Sequence, residues 1–215
     1  METKITKLFR IISSIAILPA FLVHFTLYFL HTKFWPDKFV YLACAGIVTI
    51  LLLLLLSKIF NYFPNNYGMS LNIKNKDFLY ILLFFGATVI LWYLYNYLIG
   101  IANIIPWYYD YPSKNIIFEK LIIIAILIVL AFVEEFLFRG YLLNIYLEKL
   151  NPVISVIITL LISSIYYAMQ FGFIFAGFML LYGILLSVLY ILKKNIILTT
   201  LLHILGYIFI FIVIS

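Results

Sequence analysis

Unbroken apolar runs of bilayer-crossing length set the terms for this chain. They lie at 11–30, 39–60, 78–101, 116–138, 153–171, 173–192 and 195–214, and each matches the roughly 20 residues a helix needs to cross about 30 Å of hydrocarbon. None shows the short period-2 alternation of a barrel strand. A backbone in lipid must satisfy its own polar groups, so each run is expected to be a helix. The expected fold is all-α, a polytopic transmembrane helical bundle of about seven spans. A soluble core is excluded, because 67% of the 215 residues are hydrophobic and only 10% are charged, more apolar surface than one core can enclose. The first run follows a short basic segment, as in a signal peptide, but it continues past Pro19 to Leu30 and reads as a retained span.

Basic residues sort by side of the membrane. Lys4, Lys7, Arg10, Lys58, Lys74, Lys76, Arg139, Lys149, Lys193 and Lys194 fall on one side, and only Lys33, Lys38, Lys114 and Lys120 on the other. That asymmetry puts the N-terminus in the cytoplasm and, with seven spans, the C-terminus outside. The formal charge of +6 is then a matter of topology, with the lipid bilayer as partner. The basic residues form no stripe, so nucleic acid is not an expected partner. Loop 61–78, with turn residues followed by lysines, belongs at the cytoplasmic surface. Loop 103–115, rich in Trp, Tyr and Pro, reads as an interfacial belt on the outer face. The single cysteine, Cys44, excludes an internal disulfide and any CxxC pair and is expected to be a small core residue.

The stretch AFVEEFLFRG, residues 131–140, breaks the pattern by placing Glu134, Glu135 and Arg139 in an otherwise apolar run. A charge at the centre of a membrane helix costs about 2.5 to 3.5 kcal/mol on insertion scales, so three together need partners or a polar cavity. Glu135 and Arg139 are four apart and share a helix face, in the Glu-before-basic order that pairs well. Glu134 lies about 100° away around the axis, with Phe138 as its i+4 neighbour. Glu135 can therefore neutralise Arg139, while Glu134 has no partner on its own helix. A carboxylate in that position is a candidate general base. The competing reading is an ion-pair cluster at a helix end near the headgroups, with Gly140 ending the apolar run.

These residues resemble the first motif of the CPBP intramembrane proteases, which include the type II CAAX prenyl endopeptidases and the abortive-infection-like proteins. The matching stretch is EEFLFRG, residues 134–140, followed by YLLNIYL. The resemblance implies a two-span segment over 1–66 and a CPBP-like intramembrane protease domain over 67–215, beginning near GMSLNIKNKDFLYILL. The second motif of the family is an aromatic residue with a histidine four positions later. SSIYYAMQFG supplies Tyr166 and then Gln170, so the aromatic is kept and the histidine is not. The last motif is a histidine followed four positions later by Asn or Asp. KKNIILTTLLHILGY supplies His203 and then Tyr207.

What the resemblance implies is that Glu134 activates a water for attack on a peptide bond, with Glu135 and Arg139 as supports. The second-motif position, Gln170, orients that water, and His203 and Tyr207 donate to the developing oxyanion. Gln170 can hydrogen-bond a water but cannot take up a proton. Helical rise places His203 roughly 14 Å from the lysines at 193 and 194. Glu134 comes out about 9 or 20 Å deep, according to whether its helix ends near Gly140 or Lys149, so the two can meet. Gln170 comes out roughly 27 Å beyond Pro152, which needs a tilted or displaced span. His24 and His31 read as packing or interfacial residues, and Asn96 and Asn144 as helix-to-helix hydrogen bonders. No cofactor is implied, and a catalytic metal is not expected, because the three histidines fall in different segments.

Three functions remain open on the sequence. The first is a peptidase acting on a membrane-associated peptide or protein in a prokaryotic plasma membrane. The second is a catalytically silent homologue that binds a membrane partner, such as a sensor kinase or a bacteriocin-type peptide. The third is a small transporter using Glu134 and Glu135 as proton carriers.

Overall fold

The computed structural model describes residues 73–99 and 116–210, together with Gly68 and scattered helical residues between 44 and 58. Side chains at 116–120, 122, 123, 170 and 171 fall outside the description. So do the span at 11–30 with His24 and His31, the loop at 103–115, and hence the expected count of seven spans and the placement of the N-terminus.

Among the described residues every element is a helix. They are α1 (Asn75–Ile99), α2 (Ile116–Glu135), a π-helical segment (Phe136–Leu143), α3 (Asn144–Leu147), α4 (Pro152–Phe171), α5 (Phe173–Lys193) and α6 (Ile196–Ile208). Among the described residues, three helical stretches are long and apolar enough to cross a membrane: α1, Pro152–Met169 of α4, and α5. Cys44 is exposed, not packed in a core as its small size suggested.

The helix ends follow from local chemistry. Asn151 caps α4 by accepting from the Ile154 N–H at 2.9 Å, with Pro152 at the first helical position, where a missing N–H costs nothing. Asn195 caps α6 in the same way, accepting from the Ile197 N–H at 2.9 Å. The Ile196 N–H, a second unpaired donor at that helix start, reaches the Gly68 carbonyl at 2.8 Å.

Helix α1 is fastened along α5 at both ends. Asp77 Oδ1 pairs with Lys193 Nζ at 2.9 Å, and the same ammonium sits 3.5 Å from the centroid of the Tyr80 ring. At the far end the Tyr95 hydroxyl donates to the Ile174 carbonyl at 2.5 Å. Between them Trp92 meets Phe178 edge-on at 4.9 Å. Asp77 lies next to Lys76, and the Lys74 N–H donates to its carboxylate, so the lysines at 74, 76, 193 and 194 gather at one end of the bundle.

Helix α4 shows how one span divides into two faces. Ser155, Thr159, Ser163 and Tyr167 recur every four residues and are buried, while Val153, Ile157, Leu161 and Ile165 recur at the same interval and are exposed. The small hydroxyls on the inner face are satisfied within the helix. Ser155 donates to the Asn151 carbonyl at 3.0 Å, Thr159 to that of Ser155 at 2.9 Å and Ser163 to that of Leu160 at 3.0 Å. That leaves Tyr167 to point inward at the next position of the stripe, toward the end of α2.

Candidate active site

The acidic pair closes α2, and the chain then winds wider, as a π-helix, from Phe136 to Leu143 before α3 resumes. Single π-helical turns are rare and concentrate at functional sites. The helical run does not stop at Gly140. It continues to Leu147, so the three ionisable groups lie well inside it, with Glu134 and Glu135 at 0% exposure and Arg139 at 1%. The cluster thus lies within a continuous helical run and not at its end, and Arg139 is an interior group and not a loop charge. All eight residues of the π segment are buried, so this stretch is enclosed on every side. Asn144 completes it: its Nδ2 donates to the Gly140 carbonyl at 2.8 Å and meets the Tyr190 hydroxyl on α5 at 2.6 Å. That is the interhelical bond expected of Asn144. Asn96, by contrast, donates to the Trp92 carbonyl of its own helix at 2.9 Å.

The Glu135 and Arg139 pair forms as the four-residue spacing requires, Arg139 Nη1 donating to Glu135 Oε1 at 2.8 Å. Arg139 Nη2 also reaches the Gly183 carbonyl on α5 at 3.3 Å. Glu135 has a second duty. The same Oε1 lies 2.7 Å from His203 Nδ1 on α6. A carboxylate paired with arginine only accepts, so the imidazole proton sits on Nδ1 and donates. This fixes the ring with Nε2 turned toward Glu134, 3.5 Å from its Oε2.

Glu134 finds its partners on other helices. Its Oε2 accepts from the Tyr167 hydroxyl on α4 at 2.9 Å and from the Tyr207 hydroxyl on α6 at 2.5 Å. Among the described residues, Glu134 Oε1 and His203 Nε2 have no hydrogen-bond partner. Buried polar atoms are nearly always paired, and these two belong to side chains that approach each other to 3.5 Å.

Five of the seven side chains singled out from the sequence therefore meet: Glu134, Glu135, Arg139, His203 and Tyr207. Tyr166 is buried alongside, its ring edge-on to Phe138 at 5.4 Å and to Tyr167 at 5.3 Å. The side chain of Gln170 lies outside the described residues, on a backbone that is helical to Phe171. Sequence reasoning passed over Tyr167. The four-residue stripe from Ser155 was the signal that selects it over its neighbour.

Tyr182 was also missed, and it steadies His203 from below. Its hydroxyl donates to the Leu202 carbonyl at 2.8 Å, and its ring stands edge-on to the imidazole at 5.6 Å. This approach depends on Gly206, because a Cβ there would collide with the Tyr182 hydroxyl and lie 2.8 Å from its Cζ. Gly206→Ala is expected to destabilise the protein by about 1 to 3 kcal/mol, as overpacking does. Adding Tyr182→Phe should give only partial relief, since the ring carbon stays close. Denaturation of both variants in mixed micelles checks this.

Comparison with protein families places the cluster. The family model for type II CAAX prenyl endopeptidase Rce1-like proteins matches residues 116–209. Neither curated proteins nor solved structures compared with the chain give a match. The Rce1-like segment runs from α2 through α6 and contains every residue of the cluster, while α1 lies before it. The match and the apolar helices together support a membrane protein similar, over residues 116–209, to the CPBP proteases.

Proposed function

We propose that the chain is an intramembrane glutamate-type endopeptidase that cleaves a peptide bond in a membrane-associated peptide or protein. The observation that carries this reading is that Glu134 and His203, side chains 3.5 Å apart in an Rce1-like segment, each keep a buried atom, Oε1 and Nε2, without a hydrogen-bond partner among the described residues. A water placed at both atoms gives a proton to Glu134 Oε1 as its oxygen bonds to the substrate carbonyl carbon. Collapse of the tetrahedral intermediate breaks the C–N bond as Glu134 Oε1 returns its proton to the departing nitrogen. The water's second proton passes to His203 Nε2, which then donates to the oxyanion and last yields that proton to the departing amine. Glu135 and Arg139 hold the imidazole in the orientation this requires. Gln170 orients the water without exchanging a proton with it, and Tyr166 packs behind the second motif. The same reading sets the enzyme in a prokaryotic plasma membrane, crossed about seven times with the N-terminus in the cytoplasm.

The test is cleavage, in proteoliposomes, of internally quenched peptides with and without a C-terminal prenylated cysteine, by wild type and by Glu134→Gln. Equal rates in the two proteins would remove Glu134 as the base. A second reading, a silent homologue that binds a membrane partner, draws support from Gln170 in place of a histidine and from the commitment of the Tyr207 proton to Glu134. On that reading Glu134→Gln leaves the cellular phenotype intact and Gln170→His creates no activity. On the peptidase reading, Gln170→His is expected to raise the cleavage rate, because it restores a group able to exchange protons.

A further inference from the structure

The two oxygens of Glu134 are in different surroundings. Oε2 accepts from the hydroxyls of Tyr167 and Tyr207, and among the described residues Oε1 has no hydrogen-bond partner. Glu134 comes from α2, Tyr167 from α4 and Tyr207 from α6, so three helices converge on one oxygen atom. We infer that Tyr167 and Tyr207 are a pair of positioning residues that hold Oε2 and thereby make Oε1 the oxygen that works on water. This rests on Glu134 as the base proposed above.

Stoichiometry of donors carries the inference. A carboxylate oxygen has about two lone-pair sites, and a phenol has one proton to give. Two phenols fill Oε2, so a third donor, the water, goes to Oε1. Each phenol proton is spent in the process. Tyr207 therefore belongs to the carboxylate, not to the substrate carbonyl where the family pattern would put it, and stabilising the oxyanion falls to His203 Nε2 once it has taken up a proton. The phenols are themselves held, the Tyr207 ring 4.4 Å from the imidazole of His203 and the Tyr167 ring 5.3 Å from Tyr166. Two donors from separate helices fix the plane of the carboxylate as well as its position. A misplacement of about 1 Å at a reacting group can cost about 10²-fold in rate.

The experiment uses Tyr167→Phe and Tyr207→Phe, singly and together, in the full chain. Infrared difference spectra locate the Glu134 carboxyl stretch as the band lost in Glu134→Gln. Each Phe variant is expected to shift that band, and the double variant to shift it further. On the quenched peptides each single variant is expected to lower kcat about 10- to 10²-fold, with KM within about twofold of wild type. A band unmoved in both single variants overturns the inference whether or not the chain cleaves any peptide. Its failure is thus distinct from that of the peptidase reading, which falls if Glu134→Gln retains the wild-type rate. A raised KM with kcat unchanged also overturns it, by putting the phenols on the substrate. Should a Phe variant fold poorly, difluorotyrosine at 167 or 207 keeps the shape and strengthens the donor. The band should then move in the opposite sense to that expected for Phe, and a fixed band again overturns the inference.

Discussion

Glu134→Gln is expected to lower kcat about 10²- to 10⁴-fold, the range for losing a positioned general base, while the protein stays folded. Glutamine keeps the shape of glutamate and offers a carbonyl oxygen where Oε2 now accepts from Tyr167 and Tyr207, so the three-helix junction persists. What is lost is the ability of the Oε1 position to take a proton, because an amide nitrogen there only donates. Rates on the quenched peptides, read beside a denaturation curve, separate these effects. A variant as stable as wild type with its rate reduced in this range assigns the chemistry to Glu134. A proportional loss of both rate and folded protein would assign it a structural duty instead.

The sequence made some of this arrangement legible and hid the rest, for physical reasons. The Glu135 and Arg139 pair could be read because side chains four apart on a helix face one another, and the pair forms even though the backbone widens just after Glu135. That Glu134 needed a partner from elsewhere was legible by the same geometry. Which residues would meet it was not, because partners on α4 and α6 depend on helix rotation, which helix length does not fix. The family pattern pointed to Tyr166, but rotation of α4 is set by its stripe of buried hydroxyls at 155, 159 and 163, which brings Tyr167 inward. Counting residues for depth did bring Glu134 and His203 level, and they lie 3.5 Å apart. The bond from His203 to Glu135 was beyond reach of spacing. One oxygen serving two donors from separate helices becomes visible only once the helices are packed.

Arg139→Met carries the largest expected cost in stability. Both members of the pair are buried, Arg139 at 1% and Glu135 at 0% exposure, and Nη1 and Oε1 are 2.8 Å apart. Removing one member of such a pair leaves the other as an uncompensated buried charge, at about 3 to 5 kcal/mol. The loss reaches further than the pair, because Glu135 Oε1 also holds His203 Nδ1 and Arg139 Nη2 reaches the Gly183 carbonyl. The informative comparison is the double variant Glu135→Gln with Arg139→Met. Once the carboxylate is an amide, no buried charge is left behind, and the carbonyl of glutamine still accepts from His203 Nδ1. The double variant is therefore expected to recover most of the stability lost by Arg139→Met alone, with a coupling energy of about 1 to 3 kcal/mol in the double-mutant cycle. Denaturation of wild type, both single variants and the double measures it. Additive costs would mean that the two side chains are not coupled in the folded protein. Recovery of stability without recovery of cleavage would show that the pair supports His203 electrostatically as well as by position.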